Sequence, residues 1–434
     1  TVYANEDGGS VFGFTPDGAA LWVGSAQGTD LTRLVRLDLA TGEETEVYAH
    51  SEVDLGGPIL RSHTGELLAV ITMVDRLEVV FFDDEFERKW GQAATLHHGD
   101  VAGVSMDDDE STWVVSFDDD REPGATFLLD TLSGDAEFLF RPRPQLDPDT
   151  LAPMKTVRVP SRDGYTLHCC LTLPLDDSTA DHRRKRQSEP EGLPLVLVVH
   201  GGPWARDAWG YDPEAQFLAN RGYAVLQVNY RGSTGFGKGF MHAAEHEFAG
   251  RMHDDLIDAV EWAVESGTAD RDRVAIYGGS YGGYATLVGV TFTPDVFAAA
   301  IDYVGPSSLV TLVRSFPAYW RPFLQGSWFR FVGDPGTEEE PNEEVVADLW
   351  ARSPLSKVDA IRTPLLVVQG ANDPRVTKQE ADQIVAALGE RGVEVEYLLK
   401  DDEGHGFANP ENRLDLYRAM ERFLAEHLGG RAAG

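Results

Sequence analysis

Three residues whose types can cooperate in acyl transfer occur in a fixed order in the second half of the chain. Ser280 lies in a Gly-x-Ser-x-Gly pattern at 278–282, Asp373 lies in the loop-like segment 369–375, and His405 lies between two glycines. A serine hydroxyl becomes a useful nucleophile when a histidine removes its proton and a carboxylate orients that histidine. We therefore predict that Ser280 is the nucleophile, His405 the general base and Asp373 the orienting acid.

The residues around Ser280 predict a sharp turn between a strand and a helix. The apolar run 274–277 precedes the glycines, and a helix-compatible stretch follows them. Glycine at 278 and at 282 allows the close backbone approach that such a turn needs. The backbone N–H of Tyr281 would then point to the place where negative charge develops during acyl transfer. A glycine-rich connection without catalytic function is the alternative interpretation.

A second donor to the oxyanion is expected from the His-Gly-Gly-Pro loop at 200–203, which follows the apolar run 195–199. Loops in this position supply the second backbone N–H in hydrolases that carry a Gly-x-Ser-x-Gly turn. We assign this donor to Gly202, paired with Tyr281. His200 lies far upstream of the serine, and we interpret it as a structural residue of the loop.

The elements that would position these residues alternate between strands and helices. The continuous apolar runs are typical of parallel strands, and helical patterns separate them. The runs cover 195–199, 224–228, 274–277, 298–303, 365–368 and 393–398, and the helical patterns cover 254–265, 284–290, 378–389 and 411–428. This alternation predicts a doubly wound, mostly parallel sheet over 154–434, and together with the turn at Ser280 and the order of the triad it predicts an α/β hydrolase.

A hairpin around 162–164 opens this predicted domain, and the basic run 182–186 is expected to be an exposed loop. Asp373 and His405 both follow late strands. Because strands of a parallel sheet end at the same edge, the acid and the base are expected to meet the serine there.

The first 141 residues repeat a pattern of strand, turn and strand. The positions Leu21, Leu67 and Thr112 align the repeats and are 46 and 45 residues apart. Repeats of this length built from short strands are typical of β-propeller blades. We therefore predict an all-β domain at 1–141 that resembles a partial or truncated propeller of about three blades, followed by a Pro-rich linker at 142–153. A β-sandwich is the alternative.

Composition restricts the classes of function. The formal net charge is −35, from 72 acidic and 37 basic residues, so nucleic acid is not expected as a partner. No apolar run approaches the roughly 20 residues of a membrane span, so a soluble protein without membrane contact is expected. The acidic residues are spread along the chain, and we interpret them as a halophilic surface. An ordinary acidic cytosolic protein is the alternative.

The cysteines and histidines indicate no disulfide and no metal. Cys169 and Cys170 are adjacent in a predicted strand, where neighbouring side chains face opposite ways, so we expect no bond between them. This favours a reducing, cytoplasmic location. His97 and His98 are interpreted as surface residues, and neither metal nor cofactor is expected. The start at Thr1, without a signal segment or initiator Met, suggests a processed or incomplete chain.

Taken together, the motifs resemble those of the prolyl oligopeptidase family of serine peptidases, and most closely its acylaminoacyl-peptidase and oligopeptidase branch. The matching segments span most of 150–430 and occur at 200–203, 229–237, 278–284, 372–376 and 404–407. The resemblance implies a propeller that admits short peptides or acyl-peptides to a buried cleft. It also implies that Arg375 holds the carbonyl that precedes the cleaved residue. The short propeller departs from the pattern of the family.

Two enzymatic hypotheses follow. The first is a serine peptidase that cleaves short peptides or removes blocked N-terminal residues, and the second is a carboxylesterase with the same triad. A propeller scaffold with an inactive hydrolase fold is disfavoured because all three triad positions are filled. The aromatic segment 316–331, with Trp320, Phe323, Trp328 and Phe329, is expected either to line the substrate pocket or to form core. The sequence leaves the oligomeric state open, including a homo-oligomer.

Overall fold

The computed structural model describes residues 9–175, 192–393 and 395–432, so the basic run 182–186 lies outside the described residues. The chain forms two compact units. The first comprises Thr1–Met154 together with Ala208–Pro213 and Thr234–Met241, and the second comprises the rest. The division of the sequence into 1–141, 142–153 and 154–434 stays a prediction.

The first unit contains three antiparallel sheets, which correspond to the three repeats. The first and third sheets have four strands and the second has three, each strand pairing with its neighbours in sequence. The strands are β1 Gly9–Phe14, β2 Ala20–Ser25, β3 Arg33–Asp38, β4 Glu44–Tyr48, β5 Leu55–Leu60, β6 Leu67–Met73, β7 Leu77–Phe81, β8 Asp100–Met106, β9 Thr112–Asp118, β10 Ala125–Asp130 and β11 Ala136–Phe140. Apolar side chains of neighbouring sheets share cores, as Trp22 and Leu34 do with Leu67 and Val70.

A helix, Asp84–Ala94, follows the three strands of the second sheet at the place where the other two sheets have a fourth strand. Asp83 caps it by accepting a hydrogen bond from Phe86 N at 2.8 Å. Phe86, Trp90 and Ala93 recur at helical spacing and are buried in the core shared with the third sheet. The predicted all-β domain is confirmed by its three antiparallel sheets, and this helix is an addition that the sequence analysis did not anticipate.

The first unit also includes the segment Thr234–Met241, which the sequence places inside the hydrolase region. Two aspartates of the β-sheet region hold it. Asp54 accepts a hydrogen bond from Gly237 N at 3.0 Å, and Asp30 accepts one from Gly239 N at 2.7 Å. Side chains at these glycines would collide with the Asp30 carboxylate, since a Cβ at 237 would lie 2.5 Å from it.

The second unit is built on an eight-stranded sheet in the order β12-β13-β15-β14-β16-β17-β18-β19. The strands are β12 Met154–Pro160, β13 Thr166–Thr172, β14 Leu193–Val199, β15 Ala224–Asn229, β16 Ala269–Gly279, β17 Ala299–Tyr303, β18 Leu365–Gly370 and β19 Glu396–Lys400. The strand β13 is antiparallel to β15, and the six strands from β14 to β19 run parallel. The predicted α/β fold, its hairpin and its six parallel strands are confirmed.

Helices of the second unit connect these strands. Their bounds are Pro213–Asn220, Lys238–His242, Arg251–Glu265, Tyr281–Phe292, Leu309–Ser315, Arg321–Leu324, Trp328–Phe331, Glu343–Ala351, Lys378–Glu390 and Pro410–Leu428, and the first two of these begin in the first unit. The helix Tyr281–Phe292 is almost entirely buried, which its apolar and small residues permit. It follows β16, whose neighbour β14 ends in the His-Gly-Gly-Pro loop, so both loops lie at the carboxyl edge of the sheet.

Cys169 and Cys170 lie buried in β13 as free thiols, so the expectation that they do not bond to each other is confirmed. Among the described residues, every helix is too short or too polar to traverse a lipid bilayer.

Candidate active site

Ser280 lies on a strained turn between β16 and the helix Tyr281–Phe292. Its backbone has φ 59° and ψ −117°, a region that a residue with a side chain seldom occupies. A Cβ at Gly282 would lie 2.0 Å from Val199 O, and one at Gly278 would lie 2.6 Å from the same atom. Glycine is therefore required on both sides, as the sequence pattern predicts, and the serine hydroxyl is held above the sheet.

The structure brings Ser280, His405 and Asp373 together although 125 residues separate the first two. His405 Nε2 lies 3.0 Å from Ser280 Oγ, and His405 Nδ1 lies 2.7 Å from Asp373 Oδ2. The Asp373 side chain is fully buried, and the imidazole is mostly buried. In this arrangement the imidazole can accept the hydroxyl proton at one nitrogen while the carboxylate stabilises the other N–H.

The loops that carry the acid and the base support each other. Asp373 Oδ1 accepts hydrogen bonds from Arg375 N at 2.8 Å and Val376 N at 3.0 Å, which fixes the carboxylate. Asn372 N donates to Glu403 O at 2.9 Å, so the two loops are joined by their backbones. This leaves the carboxylate little freedom to turn away from the imidazole.

The two predicted oxyanion donors lie beside the serine. Tyr281 begins the helix that follows Ser280, where N–H groups have no partner within the helix. Gly202 adopts φ 124°, a conformation that favours glycine, and it lines the same cavity as Ser280 and Tyr281. The two backbone N–H groups remain our proposed donors.

A cavity of about 210 Å³ opens next to Ser280 and His405. Its wall is mostly aromatic and aliphatic. The apolar lining residues are Phe248, Tyr281, Tyr284, Pro306, Leu309, Leu312, Phe316, Trp320, Trp328 and Val376. The hydroxyls of the two tyrosines are engaged elsewhere, since Tyr281 donates to Met252 Sδ at 3.7 Å and Tyr284 donates to Arg352 O at 2.7 Å.

The aromatic segment 316–331 divides between several environments. Phe316, Trp320 and Trp328 line the cavity, whereas Phe323 is 77% exposed and Phe329 lines a separate cavity. Of the two alternatives left open by the sequence, pocket lining applies to three of these aromatic residues, whereas the exposed Phe323 belongs neither to this cavity nor to the core.

Several residues of the cavity wall were not predicted from the sequence. Phe248 lies in an irregular segment, and Leu309 and Leu312 lie on a short helix whose spacing is equally typical of core. Tyr284 offered the clearest signal, because a residue four positions after the nucleophile lies on the next turn of the same helix.

Arg375 is exposed at the rim of this cavity. Its backbone N–H is held by Asp373, so the origin of its side chain is fixed with respect to the acid. Within 9–175, 192–393 and 395–432, its guanidinium makes no hydrogen bond or ion pair. Its role in binding the substrate stays a prediction.

His200 is partly buried in the loop after β14. Its ring stacks on Tyr230 at 4.5 Å between centroids, and its Nε2 lies 2.9 Å from Ser233 Oγ. Burial lowers the pKa of His200 to about 4, so the imidazole is neutral at pH 7. These contacts fit the structural role that the sequence analysis assigned to it.

His97, His98 and Glu122 form a group in the described residues whose ligand atoms are close enough to surround a metal ion. The hydrogen bonds favour a group held together by its own polar contacts over a metal site. Gly99 N donates to His97 Nδ1 at 3.0 Å, so the proton of neutral His97 lies on Nε2, which faces Glu122. Arg141 also approaches Glu122 to 2.7 Å. The predicted surface position is wrong for His97, whose side chain is 10% exposed.

Comparison with known proteins decides the family. The model of the prolyl oligopeptidase family matches residues 209–431, which is just over half of the chain. The chain belongs to the prolyl oligopeptidase family. This membership confirms the resemblance drawn from the motifs at 200–203, 278–284 and 404–407.

Two relatives match different shares of the chain. Dipeptidyl aminopeptidase BIII of Pseudoxanthomonas mexicana is 45% identical over 420 residues, 97% of this chain and 60% of that protein. The acylamino-acid-releasing enzyme of Arabidopsis thaliana is 31% identical over 227 residues, 52% of this chain and 29% of that protein. The chain thus spans less than two thirds of the length of these relatives.

Among solved structures, a puromycin-hydrolysing peptidase of Mycobacterium tuberculosis is similar to this chain. The two chains superpose with a TM-score of 0.80 at 26% sequence identity. The match covers 98% of this chain and 63% of the mycobacterial chain. This similarity confirms the predicted combination of propeller-type sheets with an α/β-hydrolase fold.

Proposed function

We propose that this chain is a serine peptidase that hydrolyses short peptides through an acyl-enzyme on Ser280. The observation that carries the proposal is the continuous contact from Asp373 through His405 to Ser280, which ends at an apolar cavity. His405 takes the hydroxyl proton as Ser280 attacks the peptide carbonyl, and it returns the proton to the leaving amine. The N–H groups of Tyr281 and Gly202 stabilise the oxyanion.

The residue whose carbonyl is attacked is a bulky apolar residue. Its side chain enters the cavity between Tyr284, Phe316 and Trp328, where aromatic faces replace water. Because the tyrosine hydroxyls of the wall are engaged elsewhere, the cavity offers little compensation for burying a charged side chain. Substrates with Asp or Lys at this position are therefore excluded by the cost of desolvation.

On the N-terminal side of the cleaved residue, Arg375 donates to the preceding carbonyl. The substrate is a peptide with a free amino group from which a dipeptide is released. The support for this choice is the 45% identity over 97% of the chain to a protein named dipeptidyl aminopeptidase, against 31% over 52% for an acylamino-acid-releasing enzyme.

The cellular setting is proposed on narrower grounds. Buried free thiols at Cys169 and Cys170 suit a reducing compartment, which supports a cytoplasmic location. A homo-oligomer remains part of the proposal, to be tested by the mass of the protein in solution.

A panel of chromogenic anilides tests the proposal. A dipeptidyl p-nitroanilide with a free amino group and Phe or Leu next to the anilide should be cleaved fastest. Its N-acetylated form, its Asp and Lys variants and a single acylated amino acid should be cleaved slowly, because each removes one feature proposed above. Preferential release of the acylated amino acid would instead favour the acylamino-acid-releasing activity, and cleavage of simple esters alone would refute the peptidase.

A further inference from the structure

Tyr303, the last residue of β17, makes one hydrogen bond to the backbone of Ser280 and another to the backbone of the loop that carries His405. Its carbonyl oxygen accepts a hydrogen bond from Ser280 N at 2.9 Å. Its hydroxyl oxygen accepts a hydrogen bond from Phe407 N, two residues after His405. One residue therefore connects the nucleophile turn to the loop of the base.

The loop that carries His405 is held at its ends by another side chain. Glu403 accepts hydrogen bonds from Ala408 N at 2.8 Å and Asn409 N at 2.9 Å, which closes the loop. Between these ends, Gly406 has φ 99°, a conformation that favours glycine. The hydroxyl of Tyr303 holds the backbone directly after this glycine, between the two ends that Glu403 joins.

The backbone after Tyr303 is strained. Val304 is buried and has φ 48°, a rare conformation for a β-branched residue. It persists because Val304 N donates to Val368 O at 2.8 Å and Gly305 N donates to Asp302 Oδ1 at 3.0 Å. Strain that the surroundings maintain in this way is concentrated at functional sites. Here it turns the chain directly after Tyr303 and fixes the residue that faces Ser280.

We propose that Tyr303 is a positioning residue that sets the distance between the nucleophile Ser280 and the base His405. This inference rests on the proposed function, because it assumes that these two residues react. The backbone carbonyl of Tyr303 holds the strained serine, and its hydroxyl holds the His405 loop so that Nε2 stays within reach of Oγ. The aromatic ring adds support by packing edge-on against Phe407 at 5.4 Å between centroids.

The phenol has the protonation state that this role needs. Burial raises the pKa of Tyr303 to about 12, so the hydroxyl remains neutral over the working range of a serine peptidase. A neutral hydroxyl accepts from an amide N–H without bringing a negative charge near His405. Removal of the hydroxyl leaves the N–H of Phe407 without its acceptor, and the loop then shifts to satisfy it.

The test is Tyr303→Phe, which keeps the ring and deletes the hydroxyl. Tyr223→Phe is the matched control, because that hydroxyl donates to Gly429 O at 2.7 Å and belongs to no part of the active site. Turnover of a dipeptidyl anilide is measured per reactive serine, titrated with a fluorophosphonate. We expect kcat of Tyr303→Phe to fall about tenfold, equivalent to about 1.4 kcal/mol, with KM changed by less than about twofold.

The double variant Tyr303→Phe/His405→Ala identifies the route of the effect. If the hydroxyl acts through the imidazole, its removal should not reduce further the residual rate of His405→Ala on an activated ester. An unchanged kcat in Tyr303→Phe, an equal fall in Tyr223→Phe, or a further tenfold fall in the double variant would each overturn the positioning role. Full peptidase activity in Ser280→Ala would instead overturn the proposed function, which keeps the two failures distinct.

Discussion

The exposed guanidinium of Arg375 permits a direct test of how the substrate is held. In Arg375→Ala the side chain is lost beyond Cβ, while the backbone N–H that binds Asp373 Oδ1 at 2.8 Å is retained. The triad geometry should therefore survive, and the fold should be unaffected because the Arg375 side chain makes no ion pair with any residue that the structure describes. Any loss of activity then reports a contact with substrate.

The magnitude follows from the kind of hydrogen bond that is lost. A hydrogen bond from a charged donor contributes about 1.5–3 kcal/mol when the bound substrate covers it. Since Arg375 is exposed before binding, the lower part of this range applies. At about 1.4 kcal/mol per decade, kcat/KM for the peptide substrate should fall by roughly ten- to thirtyfold.

The assay compares two substrates of the same enzyme preparations. A dipeptidyl p-nitroanilide has a carbonyl on the N-terminal side of the cleaved residue, whereas p-nitrophenyl acetate has none, so the ester should react almost normally with Arg375→Ala. Arg418→Ala serves as control, because Arg418 is an exposed arginine on the C-terminal helix with a distant partner, Asp415, at 3.8 Å. Parallel losses on peptide and ester would refute the contact with the carbonyl and indicate that Arg375 braces the Asp373 loop.

Three further predictions concern stability. The net charge of −35 means that acidic side chains repel one another in the folded protein. Raising potassium chloride from 0.1 M to 1 M shortens the Debye length from about 10 Å to about 3 Å, so the unfolding temperature should rise. An unfolding temperature that stays flat or falls would refute a halophilic surface. Burial lowers the pKa of His200 and of His253 from 6.5 to about 4. Below pH 6.5 these histidines bind protons in the unfolded chain but not in the folded one, so the free energy of unfolding is at its full value above pH 6.5 and falls by roughly 3 kcal/mol for each histidine as pH drops toward 4. Chemical denaturation of His253→Gln should show a shallower loss over that window, and an identical slope would contradict the assignment. Gly282→Ala should destabilise the protein and abolish turnover, because its Cβ would lie 2.0 Å from Val199 O, whereas Gly389→Ala, with open space at its Cβ, should be neutral by thermal unfolding.

Much of the catalytic region could be predicted because its signals are local. The apolar runs of β14 to β18 are buried on both faces, so they can be recognised in the sequence without knowledge of their neighbours. The turn at Ser280 likewise depends on glycines within four residues of the serine. Order along the chain then sufficed to select Asp373 and His405 from many acidic residues and histidines.

What the sequence concealed depends on contacts between distant segments. The cavity wall combines Phe248, Leu309 and Trp328, and no spacing in the sequence indicates that they face one space. Tyr303 looks like an ordinary strand residue in the sequence. Its hydrogen-bond partners lie 23 positions upstream and 104 positions downstream, so no local pattern indicates its contacts. The helix Asp84–Ala94 escaped because its apolar residues form a narrow stripe among charged ones.

The most direct test of the central claim is the peptide turnover of Ser280→Ala, measured on protein whose thermal unfolding matches the wild type. If Ser280 forms the acyl-enzyme with His405 at 3.0 Å as its base, kcat should fall by several orders of magnitude. Combining this change with His405→Ala should cost little more, because the two residues act as one unit. Near-normal turnover of the dipeptidyl anilide by folded Ser280→Ala would contradict the assignment of the nucleophile.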